Sequence, residues 1–339
     1  MAIRHLKFKL SRALIDKDWA KNLVYSAINT PPFDSIYRLF YNRAVQRRLN
    51  DLKLKDLMVV FEGFNGCNAR CVMCPYKIMT RPKVVMPMEL FKKVADDCVT
   101  HGVKVFDLNF YNEPLLDPLL FDRIKYLKER GVTVKFFSNG SVMDEKKVDG
   151  LLSSGLDMVN FSVDGASREV YEKIRVGLNY DRMIRNINWV LDERKKRGLT
   201  RPKINLVYTR QNLNFDEVED FKKMWEGKVD KIYWSLDDNR NNTGPLKFGL
   251  SVKRAPVAYP CLKLWTELVV MSDGRVALCC IDYDGKVILG DFNKQTLQEI
   301  WDSPVYKRIR DLHVNYQADK IQLCKNCLHP WRLNVHSWW

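Results

Sequence analysis

The sequence predicts an α/β fold: a partial (β/α)6 barrel followed by a smaller C-terminal domain. From residue 57 onward, short segments rich in β-branched and aromatic residues recur, and amphipathic helical segments separate them. Such alternation is typical of parallel βαβ units. Beyond the sixth of these segments the composition shifts to Asn, Gly, Pro and charged residues, which indicates a linker before a separate compact unit.

The predicted elements of the barrel alternate along the chain. The strands are Leu57–Glu62, Val103–Tyr111, Val132–Ser138, Met158–Val163, Ile204–Thr209 and Lys231–Leu236. The helices are Met88–Thr100, Pro118–Arg130, Glu145–Ser154, Arg182–Arg197 and Glu217–Glu226, and several begin with an acidic cap or first-turn residue such as Asp144 or Asp216. In a TIM-like barrel, functional loops follow the carboxyl ends of the strands, so candidate site residues are expected there.

The chain divides into four predicted segments. A basic helical N-terminal extension (1–56) precedes the barrel (57–238), a linker (239–260) follows it, and a C-terminal domain (261–339) completes the sequence. The C-terminal domain contains a predicted hairpin that turns at Asp273-Gly274 and a predicted helix at Leu297–Leu312.

Composition favours a cytoplasmic protein. The sequence has neither an uninterrupted apolar stretch long enough to span a membrane nor a signal-peptide pattern. In the reducing cytoplasm, its nine cysteines are more typical of metal ligands or reactive thiols than of disulfides.

Positive charge is concentrated near the N-terminus. The formal charge is +15, and residues 1–56 contribute twelve Lys or Arg against five Asp. The segments Ile3–Leu14 and Tyr37–Leu54 mix basic and apolar residues, which indicates either a docking helix with a solvated polar face, the favoured interpretation, or peripheral contact with a membrane surface. Nucleic acid is not an expected partner, because no motif of interleaved aromatic and basic residues is present.

Three cysteines lie on one loop directly after the first predicted strand. Cys67, Cys71 and Cys74 have the spacing C-x3-C-x2-C. Three thiolates can hold three irons of a [4Fe–4S] cluster and leave the fourth open to a small molecule. A zinc site is the alternative, but zinc favours paired C-x2-C ligands.

This spacing resembles the signature of the radical S-adenosylmethionine (radical SAM) superfamily. The resemblance implies a [4Fe–4S] cluster with S-adenosyl-L-methionine bound to its open iron. It also implies an external flavodoxin- or ferredoxin-like electron donor. Reductive cleavage of the cofactor would give a 5′-deoxyadenosyl radical that abstracts hydrogen from a substrate carbon.

Further family motifs follow successive predicted strands. Asn112-Glu113-Pro114 resembles the Gly-Gly-Glu-Pro element, with Tyr111 and Asn112 in place of the glycines. The resemblance makes Glu113 the acceptor of the methionine amino group and Arg175 the partner of its carboxylate. It also implies cofactor contacts for Ser138, Asn139, Ser162 and Asp164, and more weakly for the Asn214-x2-Glu217 turn. Tyr76 is the candidate for packing on adenine, because Met73 stands where many relatives carry an aromatic residue.

The second cysteine group lies in the C-terminal domain. Its four proposed ligands are Cys261, Cys279, Cys324 and Cys327, a complete set for a second [4Fe–4S] cluster, with tetrahedral zinc as the alternative. The pattern resembles the SPASM/twitch auxiliary iron–sulfur domain of radical SAM enzymes. Its layout is similar to that of 2-deoxy-scyllo-inosamine dehydrogenase, which implies one auxiliary cluster.

Three other residues or pairs need separate interpretation. Strand alternation places Cys279 and Cys280 on opposite sides, so that only one binds iron. Cys280 is then a substitute ligand, a buried apolar residue or a catalytic hydrogen donor. Cys98 is predicted to be a core residue, and His329 and His336 are predicted to be tail residues rather than ligands.

The sequence leaves several functions open. The leading hypothesis is a dehydrogenase or epimerase acting on a sugar, cyclitol or related small molecule. Maturation of a ribosomal peptide is the alternative, although no leader-binding domain is recognised before the barrel. A non-catalytic electron carrier is disfavoured, because it would not need a cofactor pocket. A nucleic-acid-binding module is disfavoured, because no motif of interleaved aromatic and basic residues is present.

Overall fold

The computed structural model describes residues 47, 49–236, 260–325 and 327. Most of the N-terminal extension lies outside the described residues. The hypothesis of membrane contact through Ile3–Leu14 therefore also concerns residues outside the described part of the chain. Most of the linker and the predictions for His329 and His336 lie outside it as well. In the described part of the chain, no helix is both long and apolar enough to cross a membrane.

The described strands form one mixed sheet in the order β6-β5-β4-β3-β2-β1-β7-β8-β9. Their bounds are β1 Met58–Phe61, β2 Val105–Asp107, β3 Thr133–Ser138, β4 Met158–Ser162, β5 Lys203–Arg210, β6 Lys231–Leu236, β7 Glu267–Val270, β8 Arg275–Ala277 and β9 Ile288–Asp291. Strands β1 to β6 are all parallel, as predicted.

The helices cover the outer side of this sheet. Their bounds are α1 Met88–Thr100, α2 Leu120–Lys128, α3 Glu145–Ser153, α4 Arg168–Ile174, α5 Tyr180–Lys196, α6 Val218–Trp225, α7 Lys263–Thr266, α8 Leu297–Trp301, α9 Pro304–Val314 and α10 Gln322–Lys325. Residues of α1 and α2 such as Phe91 and Ile124 join Phe61 and Phe106 in the main buried core. Asp144 caps α3, as predicted, by accepting from the Lys147 N–H at 2.8 Å.

Three details differ from the prediction. The second strand is shorter and ends at Asp107, and the short helix α4 was missed. The predicted helix Leu297–Leu312 is two helices, because Ser303 caps a new helix with Pro304 at its first position.

The C-terminal hairpin continues the barrel sheet. Its turn lies at Asp273-Gly274, as predicted, and Gly274 has a φ of +88°, a conformation that glycine adopts without strain. Strand β7 pairs in parallel with β1, from Met58 opposite Glu267 to Phe61 opposite Val270. The two cysteine groups are therefore attached to neighbouring strands.

The inner face of the sheet carries a buried carboxyl group, that of Asp107. Phe106 packs in the main core, so its neighbour Asp107 points to the opposite face. Asp107 Oδ2 lies 3.4 Å from Lys135 Nζ, and burial raises the pKa of Asp107 to about 7.

The raised pKa of Asp107 predicts that the stability of the folded protein depends on pH. The folded state holds the Asp107 proton up to about pH 7, whereas an unfolded aspartate releases it near pH 4, so stability decreases as pH rises across that window. We expect Asp107→Asn to flatten the fall in thermal midpoint between pH 5 and pH 7.5. Asp149→Asn, at an exposed helix position, is the matched control, and equal slopes in both variants and wild type would contradict the assignment.

Candidate active site

The first cysteine loop follows β1 and is held by backbone hydrogen bonds to the last residue of α4 and to the segment after it. Arg70 N donates to Val176 O at 2.8 Å, and Val72 N donates to Ile174 O at 2.9 Å. Cys71, between these two donors, is buried, whereas Cys67 and Cys74 are half-buried. The loop is therefore fixed at its centre and leaves its outer cysteines more accessible.

The environment of the three thiols combines low solvation with a nearby cation. Burial raises the pKa of Cys67 to about 12, with smaller contributions from Glu113, Cys71 and Cys74. Arg175 Nη1 donates to Cys71 Sγ at 3.6 Å. Within the described ranges, no three His, Cys, Asp or Glu side chains are grouped to hold a single metal ion. The donor set, three thiols on one loop beside a guanidinium, fits a cluster that needs three protein ligands.

Glu113 is a buried carboxylate with three internal donors. Its Oε1 accepts from Ser138 Oγ at 2.7 Å and from Leu115 N at 3.1 Å, and its Oε2 accepts from Asn139 N at 2.7 Å. Burial raises the pKa of Glu113, and these donors offset part of that shift. The side chain is thus fixed in one orientation at the carboxyl end of β3.

Asn139 connects the third strand to the cysteine loop. Its Nδ2 donates to Asn68 Oδ1 at 2.9 Å, and Asn68 Nδ2 donates to Ser141 Oγ at 2.8 Å. Gly140 completes the turn with a φ of +69°, and a Cβ there would lie 3.3 Å from the Phe161 ring. Asn68 was missed by the sequence analysis, although its place between two cysteines of the loop was a usable signal.

Asp164 and Arg175 form a buried ion pair. Arg175 Nε donates to Asp164 Oδ2 at 2.7 Å, and Thr209 N donates to Asp164 Oδ1 at 2.7 Å. Burial alone would lower the pKa of Arg175, but the charges of Asp164 and Cys71 raise it above its ordinary value. Arg175 therefore stays charged beside the cysteine loop.

The Asn214-x2-Glu217 turn holds the Asp164 loop in place. Asn214 Nδ2 donates to Asp164 O at 3.0 Å, and Glu217 Oε2 accepts from Ala166 N at 2.7 Å. Between them, Gly165 leaves no room for a side chain, because a Cβ would lie 2.7 Å from the Tyr171 N. These internal bonds give Asn214 and Glu217 a supporting role for the loop.

Tyr76 and Ser162 complete the first group of predicted site residues. Tyr76 is buried, its hydroxyl accepts from Cys67 N at 2.8 Å, and the Arg70 guanidinium lies 4.9 Å from its ring centroid. Ser162 is the last residue of β4. Contact of Tyr76 with adenine stays a prediction.

The second cysteine group lines one cavity. Its lining includes all four predicted ligands and also Cys280: Cys261, Cys279, Cys280, Cys324 and Cys327. A backbone hydrogen bond of 3.1 Å from Cys327 N to Cys324 O holds the last two on one tight turn. Five thiols around one cavity fit a four-thiolate cluster with one sulfur left over.

The predicted opposite orientation of Cys279 and Cys280 is wrong. Strand β8 ends at Ala277, and the chain then turns, with Asp282 N donating to Cys279 O at 3.1 Å. Alternation along a strand therefore does not apply to Cys279 and Cys280, and both residues line the same cavity. The predicted core position of Cys98 is confirmed, since it is fully buried on α1.

His313, a residue that was not predicted from the sequence, lies on α9 and lines the same cavity. It is 1% exposed, and burial lowers its pKa to about 4. Its Nδ1 accepts from Cys261 N at 3.3 Å, and its Nε2 lies 3.5 Å from Cys324 Sγ. No sequence spacing connects this histidine to the cysteines.

Direct contacts join the barrel to the auxiliary cysteine turn. Tyr111, two residues before Glu113, donates its hydroxyl to Cys280 O at 2.8 Å. Glu62, at the end of β1, accepts from Arg81 Nη1 and Nη2, both at 2.7 Å, and Arg81 Nε donates to Tyr283 O at 2.7 Å. These contacts, also missed from the sequence, fix the turn of Cys279 and Cys280 against the barrel.

Comparisons with known proteins agree with this geometry. Residues 61–224 match the model of the radical SAM superfamily, and residues 261–328 match that of the SPASM iron–sulfur cluster-binding domain. Among curated proteins, the chain is similar to the mycofactocin maturase MftC of Mycolicibacterium smegmatis, with 28% identity over 166 residues. That alignment covers 49% of this chain but only 40% of the relative.

Solved structures share the fold at low sequence identity. BtrN in complex with AdoMet and 2-DOIA has a TM-score of 0.54 and 19% identity, and the match covers 80% of this chain and 92% of BtrN. Streptococcus suis SuiB bound to the precursor peptide SuiA has a TM-score of 0.62 and 16% identity, covering 83% and 72% respectively. Together with the two cysteine groups, the two family models confirm the predicted cofactors, [4Fe–4S] clusters and S-adenosylmethionine. The chain belongs to the radical SAM superfamily and carries a C-terminal SPASM domain.

Proposed function

We propose that this protein is a radical SAM oxidoreductase of the dehydrogenase type, acting on a hydroxylated small molecule such as a sugar or cyclitol. The initiating cluster is assigned to Cys67, Cys71 and Cys74. The auxiliary cluster is assigned to Cys261, Cys279, Cys324 and Cys327. When bound, the first cluster and S-adenosylmethionine supply a 5′-deoxyadenosyl radical that removes hydrogen from the substrate.

The residues around the first loop are suited to bind the methionine part of S-adenosylmethionine at one end and its ribose and adenine at the other. Glu113 offers a fixed carboxylate to the methionine amino group, and Arg175 offers a charge beside Cys71 to the methionine carboxylate. Ser138 and Asn139 orient Glu113, and Asp164 orients Arg175. Ser162 and Tyr76 remain candidates for the ribose and adenine.

The observation that carries the dehydrogenase proposal is the hydrogen bond from Tyr111 to Cys280 O. This bond connects the segment after β2, which carries both Tyr111 and Glu113, directly to the auxiliary cysteine turn. In the proposed reaction, a secondary alcohol carbon loses one hydrogen atom, its hydroxyl loses one proton, and the remaining electron passes to the auxiliary cluster, which leaves a ketone. A contact between the segment that carries Glu113 and the auxiliary cysteine turn supports that last transfer.

Two alternatives have their own support. Cys280 lines the auxiliary cavity and is left over once four ligands are chosen, which favours an epimerase if it returns hydrogen to the substrate. Similarity to MftC and SuiB favours peptide maturation. In all three cases, a flavodoxin- or ferredoxin-like donor and a cytoplasmic location are part of the proposal.

Isotope transfer distinguishes these reactions. The reconstituted enzyme is incubated anaerobically with S-adenosylmethionine, reductant and deuterated candidate sugars or cyclitols. Deuterium in 5′-deoxyadenosine together with a ketone supports dehydrogenation. Solvent hydrogen at an inverted carbon, if this product is lost in Cys280→Ala, would contradict dehydrogenation and support epimerisation. Modification of an added precursor peptide alone would contradict dehydrogenation and support peptide maturation.

The ligand assignment predicts iron content. We expect about eight irons per reconstituted chain and about four after Cys67, Cys71 and Cys74 are all replaced by alanine. The matched set Cys261→Ala, Cys279→Ala, Cys324→Ala and Cys327→Ala should also retain about four. Cys98→Ala, at the buried cysteine outside both groups, is the control and should retain eight. Chemical iron analysis and Mössbauer spectra measure these contents, and zinc in the second site would contradict the assignment.

A further inference from the structure

His313 is a buried histidine that the proposed reaction does not yet use. It lies near the end of α9 and contacts both arms of the auxiliary cysteine group. One ring nitrogen faces the backbone N–H of Cys261 at 3.3 Å, and the other faces Cys324 Sγ at 3.5 Å. The imidazole thus lies between the first and third proposed ligands.

The contacts define which nitrogen carries the proton. A backbone N–H can only donate, so Nδ1 of His313 accepts from Cys261. In the neutral ring the proton then lies on Nε2, the nitrogen that faces Cys324 Sγ. The ring is therefore oriented as an N–H donor toward a sulfur.

We propose that His313 donates a hydrogen bond to Cys324 Sγ that raises the reduction potential of the auxiliary cluster. Reduction adds one negative charge to a cluster, and hydrogen bonds to the ligand sulfurs stabilise that charge. The inference rests on the proposed assignment of Cys324 as a ligand, but it does not depend on the identity of the substrate. His313 is a positioning residue, because it acts on the cluster through Cys324.

A second N–H donor near this cavity, Lys263, is less suited to the role. Lys263 also lines the cavity, but its Nζ is bound by both carboxylate oxygens of Glu267, at 2.7 and 2.9 Å. Its charge is therefore balanced, whereas the Nε2–H of His313 is directed at a single sulfur.

A higher potential would make the auxiliary cluster a better acceptor. The substrate radical formed by hydrogen abstraction from an alcohol is strongly reducing once the hydroxyl is deprotonated. Transfer of its electron to the auxiliary cluster competes with return of a hydrogen atom to the radical. His313 would therefore favour oxidation over a reversal of the first step.

Redox titration of the full-length chain tests this proposal. The alanine replacement of Cys67, Cys71 and Cys74 isolates the auxiliary cluster, and its midpoint is followed by EPR. In that background we expect His313→Phe to lower the reduced-to-oxidised ratio at a fixed potential about tenfold, which corresponds to about 59 mV for one electron. His313→Gln, which keeps an N–H at similar reach, should stay near the background midpoint, as should the control His101→Phe.

Several outcomes overturn the proposal. An unchanged midpoint in His313→Phe does so, as does an equal shift in His313→Gln. Loss of iron in both variants also does so, because it would make His313 a ligand. Pulsed EPR on unsubstituted holoenzyme labelled with ¹⁵N-histidine does not depend on whether the variants fold. A weak coupling between the histidine nitrogen and the reduced auxiliary cluster is expected, and the absence of any such coupling would overturn the proposal. A background protein without any cluster would instead contradict the ligand assignment itself.

Discussion

Replacing Arg81 with methionine is expected to lower the free energy of unfolding by about 3–5 kcal/mol. The Glu62 side chain is 0% exposed and Arg81 is 5% exposed, so the substitution leaves a carboxylate buried without its bidentate partner. Within the described residues, Glu62 would keep the N–H of Ser272, at 3.1 Å, as its donor. Arg81→Met also removes the bond to Tyr283 O, so the auxiliary turn should lose part of its attachment. Denaturant unfolding measures the loss.

Two further variants separate the cost of the unpaired charge from other effects. Lys173→Met breaks the exposed pair of Lys173 and Glu169, whose side chains are 60% and 76% exposed, and should leave the free energy of unfolding close to that of wild type. The double variant Glu62→Met/Arg81→Met removes both charges and should recover much of the loss. Equal losses in the single and double variants would show that the buried charge is not the cause.

The second large effect is expected at Glu113. Glu113→Gln should weaken binding of S-adenosylmethionine about 10- to 100-fold, because a charge-assisted hydrogen bond contributes about 1.5–3 kcal/mol. The amide would also direct an N–H₂ group toward the donors Ser138 or Asn139. Calorimetry on the reconstituted protein measures the affinity, and chromatography measures 5′-deoxyadenosine.

Stability should respond differently from affinity in this variant. Burial disfavours the charged form of Glu113, and removal of that charge offsets the cost of the misdirected N–H₂ group, so the thermal midpoint should stay within a few degrees of wild type. Glu129→Gln, on the exposed end of α2, is the matched control for both measurements. A loss of affinity accompanied by an equal loss in thermal stability would indicate a structural role instead.

The elements of the barrel were largely predictable, because each has a clear local pattern. Helix α1 starts and ends where its amphipathic period does, and Asp144 marks the start of α3. Strand β2 is shorter than its β-branched and aromatic composition predicts. Beyond it, Asn109 Oδ1 accepts from Phe137 N and Asn112 Oδ1 accepts from Phe110 N, so side chains replace regular strand pairing.

The site was predictable where residues are close in sequence and not where they meet only in space. Spacing made Cys67, Cys71 and Cys74 candidate ligands, and the strand-end motifs made Glu113 a candidate cofactor contact. Nothing in the spacing indicated that His313 would reach Cys324 or that Arg81 would pair with Glu62, because tertiary packing creates both contacts. Likewise, the orientation of Cys280 depends on where β8 ends.

The parallel pairing of β7 with β1 has a consequence for how this architecture can be modified. Strand β1 leads into the first cysteine loop and is flanked by β2 on one side and β7 on the other. A chain shortened before β7 would turn β1 from an interior strand into an open edge, with unpaired backbone groups that invite aggregation. The C-terminal part is therefore not a detachable module, and exchange between relatives would need to retain this strand even if the later cysteines were replaced.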